Sequence, residues 1–259
     1  SLGGNDKQKQ TYLPQIVDGS ITTALALEEG NRHSPLSINT EAKKDGKNYT
    51  LIGNKAFVID GHSSNLLIVA ARTSGSENDS SGITLFLVDP SIDGVEVSKT
   101  SMVDSRNSAN ITLNEVIVSL DDVLGEENNG AALLEEVLDR AQIAISAEML
   151  GNASQAFDIT LEYLKERKQF GAVIGSFQAL QHRAAEMYSE LELTKSSVIA
   201  ACVAADEQSN DLRRMASLAK FKAGETNHLV TNEAVQMHGG VGVTDEYDVG
   251  LYLKRARVT

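Results

Sequence analysis

ERKQFGAVIGSFQALQHR, residues 166–183, ends one periodic run, breaks at Phe170-Gly171 and starts another. Upstream, Leu134, Leu138, Ala141, Ile145, Met149, Ala153, Phe157, Leu161 and Leu164 recur at three- or four-residue steps, which stacks them on one helical face. Unbroken from Ala131 to Arg167, this helix runs about 55 Å at about 1.5 Å per residue. Downstream, Phe177, Leu180, Ala184, Met187, Leu191, Thr194, Val198 and Cys202 repeat the pattern. A third run passes from Leu212 through Met215, Ala219, Ala223, Thr226, Val230 and Met237 and stops at Gly239-Gly240. Three long helices with short connections predict an antiparallel bundle.

Ahead of the bundle the period changes. Residues 38–118 read as β structure: AKKDGKNYTLIGNKAFVI carries the turn dipeptides Asp45-Gly46 and Gly53-Asn54 between runs rich in Tyr, Thr, Ile, Val and Phe. NLLIVAART, GITLFLVDP, VEVSKT and SANITLNEVIVS follow, separated by polar stretches. Strand after strand without a long helix between them predicts an antiparallel barrel or sandwich, so the fold class is α+β. SGSENDSSG (74–82) has no apolar anchor and reads as a mobile surface loop. The division expected is a helical tail over 1–20, a β domain over 21–125 and a helical-bundle domain over 126–259.

Composition narrows the partners. A net charge of −13 over 259 residues opposes tracking a polyanion, so nucleic acid is excluded as a partner. Runs such as NLLIVAA (65–71) are too short to span a bilayer as a helix. The lone Cys202, within SSVIAACVAAD, reads as a packed thiol. A cytoplasmic setting is expected, or the mitochondrial matrix in a eukaryote, with any targeting segment upstream of Ser1.

Local motifs alone carry little chemistry. The five histidines never stand at i, i+4, and there is no Cys pair, so no metal site is expected. GGVGVTDE (239–246) contains a GxG but lacks a third glycine and a preceding strand, which argues for a helix stop and turn rather than a dinucleotide fingerprint. Glu166-Arg167-Lys168 taken alone is a cationic last turn complementing the helix dipole.

The arrangement as a whole says more. A strand-rich region is followed by a helix ending in ERKQFG, a helix opening on SFQALQ, and a helix ending in AVQMHGGVG. With DKQKQTYLPQIVDGS (6–20), DGKNYTLIGNKAFVIDG (45–61), ITLNEVIVSLDDVLGEENNG (111–130), LDRAQIAISAEMLGNASQAF (138–157) and QMHGGVGVTDEYDVGLYLKRARVT (236–259), the chain resembles the acyl-CoA dehydrogenases over essentially its whole length. The resemblance implies FAD as cofactor. It assigns Arg167 to the FAD of a neighbouring subunit, where a guanidinium fork suits a diphosphate, with Phe170 and Gln178 beside it. Gln236, Gly239 and Gly240 are implied to let backbone approach the cofactor. A flavin held across subunits implies a dimer of dimers, the homotetramer, or a similar assembly.

The family pattern is also departed from. Its first flavin-contacting loop reads Thr-Glu-Pro-x-x-Gly-Ser-Asp, where this chain has LEEGNRHS (27–34), keeping Glu28 and Gly30. Its Trp-x-Thr becomes Phe57-Val58-Ile59, so Ile59 removes a hydroxyl that the family directs at the flavin. Most members take the α-proton with a Glu that would follow the segment matching ARVT, past Thr259. In other branches the acid comes from the position of Asp139, whose plainer reading is a solvated or Arg-paired helix residue. Arg140 is implied to lie by the CoA end of the substrate, its plainer reading being a surface ion pair.

The activity implied is α,β-dehydrogenation of an acyl-CoA thioester to a trans-enoyl-CoA, as in fatty-acid β-oxidation. A carboxylate takes the α-proton, flavin N5 takes the β-hydride, and electrons pass to an electron-transfer flavoprotein. The alternatives are an acyl-CoA oxidase or flavin monooxygenase on the same fold, and an inactive subunit that pairs with an active relative.

Overall fold

The computed structural model describes residues 1–259, and the chain divides into two compact units, Ser1–Glu136 and Val137–Thr259. The first opens on helix α1 (Asp6–Val17). Its start is fixed by a capping box: the Asn5 side chain accepts from the Gln8 amide at 2.9 Å, and Gln8 Oε1 accepts from the Asn5 amide at 3.1 Å. Gln8 also donates to the carbonyls of Asp121 and Val123, both at 2.9 Å, tying the helix to the rest of the unit.

Eight strands form one sheet: β1 (Thr23–Ala26), β2 (Glu41–Asp45), β3 (Asn48–Ile59), β4 (Leu66–Arg72), β5 (Ile83–Val88), β6 (Val95–Ser101), β7 (Asn107–Ser119) and β8 (Val123–Leu124). The order is β6-β7-β3-β2-β4-β5-β8, with β1 also on β4. Most pairs are antiparallel, as the short strand spacing predicts, but β1 and β2 each run parallel to β4, so the sheet is mixed. On a flat sheet β3 and β5, three steps apart, would be separated by about 14 Å. The rings of Tyr49 on β3 and Phe86 on β5 nevertheless meet edge to face with centroids at 5.0 Å, so the sheet curls over its own core. That core takes Leu51, Val69, Ile111 and Val116, all shielded from solvent.

Of the two turn dipeptides, Asp45-Gly46 does turn, with Gly46 at φ 60°. Gly53-Asn54 does not: it lies inside β3. Gly53 is there because Thr40 packs against it; a Cβ would come 2.5 Å from Thr40 Oγ1 and 2.7 Å from its Cα.

The device that matters most for function is a bulge in β3. Lys55 faces Ile111 and Val58 faces Ala109, so three steps on β3 match two on β7. The extra residue carries Phe57 into a left-handed conformation at φ 52°, its amide donating to Asn110 Oδ1 at 3.0 Å. Before the bulge Tyr49, Leu51 and Lys55 point inward; after it Val58 does, while Phe57 and Ile59 emerge at 49% and 55% exposure. Without the extra residue the two-residue alternation would bury Phe57 and Ile59.

The polar stretch 74–82 has an anchor that its own composition does not show. The guanidinium of Arg72 donates to the carbonyls of Glu77 at 2.8 Å, Ser81 at 2.9 Å and Asp79 at 3.2 Å. Expected to be mobile for want of apolar anchors, this loop is organised through polar contacts instead.

Helix α2 (Gly130–Glu166) runs on into the second unit, which continues through the two-residue strands β9 (Lys168–Gln169) and β10 (Ala172–Val173), then α3 (Gln178–Asp206), α4 (Leu212–His238) and α5 (Val249–Ala256). Ala201, Ala216 and Ala219 are fully buried around Ile143 and Val198, where small side chains let the helices approach closely. Thr194 and Thr226 pair their hydroxyls at 2.7 Å across α3 and α4, so both are satisfied in the core. Ion pairs join Arg183 to Glu233 and Lys222 to Glu190 between the same helices.

Two helical phases differ from expectation. Cys202 is exposed and Ala201 is buried, because the inward face steps 187, 191, 194, 198, 201 in alternating fours and threes. On α2, Ala141 is exposed, and Ile143 and Ser146 take the inward face. Ser146 tolerates burial by donating to the Gln142 carbonyl of its own helix. No helix, α2 at 37 residues included, is both long and apolar enough to cross a membrane.

Candidate functional site

Within the second unit, the end of α2 and the end of α4 face one cavity. After Glu166 the chain makes the β9–β10 hairpin, pairing Gln169 with Ala172. Its two turn residues, Phe170 at φ 53° and Gly171 at φ 78°, both take the left-handed conformation of a type I′ hairpin. Glycine adopts it freely; for Phe it costs on the order of 1 kcal/mol or more. Phe170 is also 91% exposed, touching Phe177 edge-on at 6.3 Å. A strained, exposed aromatic side chain contributes little to the core.

On the other side, Gly239 ends α4 at φ 64° and leads into a short 3-10 turn (Gly239–Val243). The cavity, open to solvent on one side, has a volume of about 800 Å³ and is lined by Arg167, Phe170, Gln236, Gly239 and Gly240, with Tyr163, His238 and Tyr247 beside them. That volume lies within the range of about 300–1,000 Å³ usual for small-molecule sites. A Cβ built on Gly239 or Gly240 meets nothing within 4 Å, so their missing side chains leave open room. Glu166 and Glu246 share the wall.

His238 is 3% exposed, and its Nδ1 lies 2.7 Å from the Ala234 carbonyl, which makes Nδ1 the protonated nitrogen. Nε2 is buried with no hydrogen-bond partner in the protein. Burial pushes the imidazole below the usual histidine range, only partly offset by the Ala234 bond, so the ring is neutral at pH 7. Tyr163 stacks on it with centroids at 4.2 Å, Tyr247 closes from the side at 4.9 Å, and Tyr163 donates to the His238 carbonyl at 3.3 Å.

Five residues singled out from the sequence, Arg167, Phe170, Gln236, Gly239 and Gly240, thus meet in one cavity. Gln178 does not line it; it is exposed at the first position of α3, one residue past Phe177, which does. Asp139 and Arg140 are half-buried near the other end of α2. Along the helix they lie about 40 Å from Arg167, at about 1.5 Å per residue. Tyr163, His238 and Tyr247 escaped the sequence reading, although Tyr163 stands four residues before Arg167 and His238 sits within QMHGG.

In the first unit, Phe57 and Ile59 form an exposed apolar pair on the bulged strand. The 27–34 stretch is folded around two carboxylates. Glu28 accepts from His33 Nδ1 at 2.6 Å and from the Ser34 amide at 3.0 Å. Glu29 accepts from the amides of Asn39 at 2.7 Å and Thr40 at 3.0 Å, and from Lys55 Nζ at 2.6 Å. The Lys55 side chain is fully buried, and burial outweighs its carboxylate neighbours to bring its pKa down to about 8. Glu29 moves the other way from what its burial alone would do: Lys55 and the Thr40 contacts hold it below the usual carboxylate range.

A curled sheet and a bundle of long helices make an α+β protein, and the bundle carries a cavity with an aromatic rim. Residues 24–116 match the acyl-CoA dehydrogenase middle domain and residues 128–259 match the acyl-CoA dehydrogenase C-terminal domain. The chain belongs to the acyl-CoA dehydrogenase family. It is 32% identical over 258 residues to the short/branched chain specific acyl-CoA dehydrogenase of Bos taurus, covering 98% of this chain and 59% of that protein. It is 35% identical to the 3-(aryl)acrylate reductase of Clostridium sporogenes, covering 99% of this chain and 69% of that one. Among solved structures, butyryl-CoA dehydrogenase from Megasphaera elsdenii superposes with a TM-score of 0.93 at 30% identity, covering 99% of this chain and 68% of the other.

Proposed function

We propose that this chain carries the FAD-binding and acyl-CoA-binding parts of an acyl-CoA dehydrogenase that converts an acyl-CoA thioester to its trans-enoyl-CoA. The observation that carries the reading is the convergence of Arg167, Phe170, Gln236, Gly239 and Gly240 on one cavity of about 800 Å³. The residues present fit FAD: Gly239 and Gly240 leave room for close backbone approach, Arg167 suits a diphosphate, and buried His238 Nε2 is an unused polar atom in the wall. Glu166 and Glu246 suit ribose hydroxyls rather than phosphate.

When bound, FAD supplies the acceptor for the hydride that leaves the substrate β-carbon. The chain's own residues bind and orient. Arg167 would hold the diphosphate with its fork, and Phe170 would supply an aromatic face for a ring of the cofactor. Phe57 and Ile59, assigned to the cofactor by the family resemblance, would offer an apolar surface that excludes water from its reacting ring. With Ile59 in place of a hydroxyl residue, polar contacts to that ring would have to come from backbone amides. Asp139 is this chain's candidate to take the α-proton, and Arg140 its candidate contact for the CoA end. Gln178, at the opening of α3, is assigned to the cofactor by the family resemblance. An electron-transfer flavoprotein is the assigned electron acceptor. Exposed apolar residues on α3 and α4, among them Tyr188, Leu193, Ile199 and Phe221, support self-association into a dimer or tetramer.

The test is a visible absorption spectrum recorded without oxygen, before and after addition of a set of acyl-CoA thioesters. A flavin band that bleaches with one thioester supports the proposal. A band that bleaches but recovers rapidly in air, without an added acceptor, moves the reading to an oxidase. Lack of flavin uptake on adding FAD moves it to a subunit that relies on an active relative.

A further inference from the structure

Two walls of the cavity lie far apart in the chain: Arg167, just past the end of α2, and the Gly239–Val243 turn after α4. Tyr163 belongs to the first wall and reaches the second. Its carbonyl accepts from the Arg167 amide at 2.9 Å, so it stands one helical turn before Arg167 and moves with it. Its ring stacks on His238 with centroids 4.2 Å apart and planes inclined by 21°, and its hydroxyl donates to the His238 carbonyl at 3.3 Å. Tyr247 closes the group, meeting Tyr163 edge to face at 5.3 Å and His238 at 4.9 Å.

His238 in turn is the base on which the turn is built. Its Nδ1 is committed to the Ala234 carbonyl of its own helix, which fixes the ring. Gly242 folds back onto it: a Cβ there would come 2.8 Å from the His238 Cβ and 2.8 Å from the Val235 carbonyl oxygen. Three of the five residues of the turn are glycine, so its shape depends on what it packs against rather than on stiffness of its own. Of the two contacts that Tyr163 makes to His238, the stack is the larger. A hydroxyl bond of 3.3 Å is long against the ordinary length of about 2.7–2.8 Å, whereas the ring shields an imidazole that is 3% exposed.

We propose that Tyr163 is a positioning residue of this cavity: by its stack on His238 it sets the place of the Gly239–Val243 turn against Arg167, and so governs cofactor affinity through the turn rather than through a contact of its own. The inference rests on the flavin reading above and extends it to a side chain that the family resemblance leaves unassigned. It gives the Tyr163–His238 pair a task beyond packing. Arg167 takes its position from α2 and the glycines take theirs from α4, and the stack is a side-chain link between the two.

The experiment uses the full chain. Amide hydrogen exchange over residues 239–244 is read first without flavin, and FAD affinity is then measured by fluorescence titration. Tyr163→Leu, Tyr163→Phe, His238→Leu and the double variant Tyr163→Leu/His238→Leu are compared with wild type. Val198→Ala serves as a stability control: it truncates the core on α3 about 27 Å along that helix, at about 1.5 Å per residue, from Leu180, which lines the cavity. Tyr163→Leu is expected to exchange at least fivefold faster in the turn and to bind FAD at least fivefold more weakly. Tyr163→Phe keeps the stack and should stay within twofold of wild type on both, as should Val198→Ala. The double variant should lose no more affinity than the weaker-binding single variant, because each single already breaks the same contact. Unchanged exchange in Tyr163→Leu overturns the inference, since a loss of affinity alone would mean that Tyr163 touches the cofactor itself. Faster exchange with unchanged affinity overturns it too, as do losses that multiply in the double variant, a Tyr163→Phe as impaired as Tyr163→Leu, or equal losses in Val198→Ala. Should Tyr163→Leu fail to fold, His238→Leu carries the same expectation, because it breaks the stack from the other side. Absence of FAD binding by wild type overturns the flavin reading itself, and is told apart because exchange in the turn is read before flavin is added.

Discussion

The imidazole of His238 lies stacked on the ring of Tyr163, centroids 4.2 Å apart, with its Nδ1 committed to the Ala234 carbonyl and its Nε2 facing no protein partner. Burial holds this histidine below the ordinary value of 6.5, so the folded state resists a proton that the unfolded chain accepts. Stability contributed by the neutral ring is therefore complete above about pH 6.5 and is lost as pH falls through and below that value. Urea unfolding of wild type and His238→Phe at pH 7.5 and pH 5.5 checks this. The wild type is expected to lose more stability on acidification than the variant; parallel losses would mean the ring is solvated.

Lys55 gives a pH effect of the opposite range. Its folded pKa of about 8 lies below its ordinary 10.5, so between these values the unfolded chain binds a proton that the folded chain has released. Stability must then rise with pH across about 8 to 10.5, contrary to the intuition that breaking an ion pair weakens a protein. Glu29 acts at the acid end: held below its usual range, it contributes stability present above about pH 4.5 and lost as pH falls through its folded value. The difference in unfolding free energy between wild type and Lys55→Met should grow from pH 8 to pH 10. A flat difference would show that Lys55 is not shielded.

How much of this was legible beforehand depended on whether the cause was local. The long helices and their connections were, because apolar residues at three- and four-residue steps leave one arrangement open. The inward face was misjudged where a small or hydroxyl residue took it: Ala201 in place of Cys202, Ser146 in place of Ile145. The β3 bulge left no signature, since Phe57 in a left-handed conformation is held by Asn110, 53 positions away in the chain. The same is true of Lys55, a residue type that belongs at the surface until Glu29 and the Leu27 carbonyl surround it. In the cavity, ERKQFG and QMHGG announced themselves, whereas Tyr163 and Tyr247 look like any helix or loop tyrosine until His238 is seen between them.

Arg167 separates a fork from a point charge. It is exposed at the cavity, so Arg167→Lys and Arg167→Ala should both fold with stability within about 0.5 kcal/mol of wild type. Loss of a charge-assisted contact to the diphosphate should weaken FAD by about 1.5–3 kcal/mol in Arg167→Ala. If the contact is bidentate, Arg167→Lys should recover only a minority of that loss, because an ammonium cannot match two oxygens in one plane. Equilibrium titration by flavin fluorescence gives both numbers. Full recovery by Lys would mean that net charge alone is read.

The two adjacent glycines divide fold from ligand space. Gly239 sits at φ 64° and ψ −143°, a conformation that side chains disfavour, so Gly239→Ala should cost about 1–3 kcal/mol of stability from backbone strain alone. Gly240 carries no such strain, and a Cβ there meets nothing within 4 Å. Gly240→Ala should therefore unfold at the wild-type denaturant midpoint, or slightly above it, because the substitution also narrows the unfolded ensemble. Its methyl nevertheless projects into the room on which backbone approach to the cofactor depends, and FAD binding should fall at least tenfold, or about 1.4 kcal/mol. Chemical denaturation and FAD titration of the two variants decide between the roles. If Gly240→Ala binds FAD as tightly as wild type, the open space beside Gly240 is not where the cofactor lies.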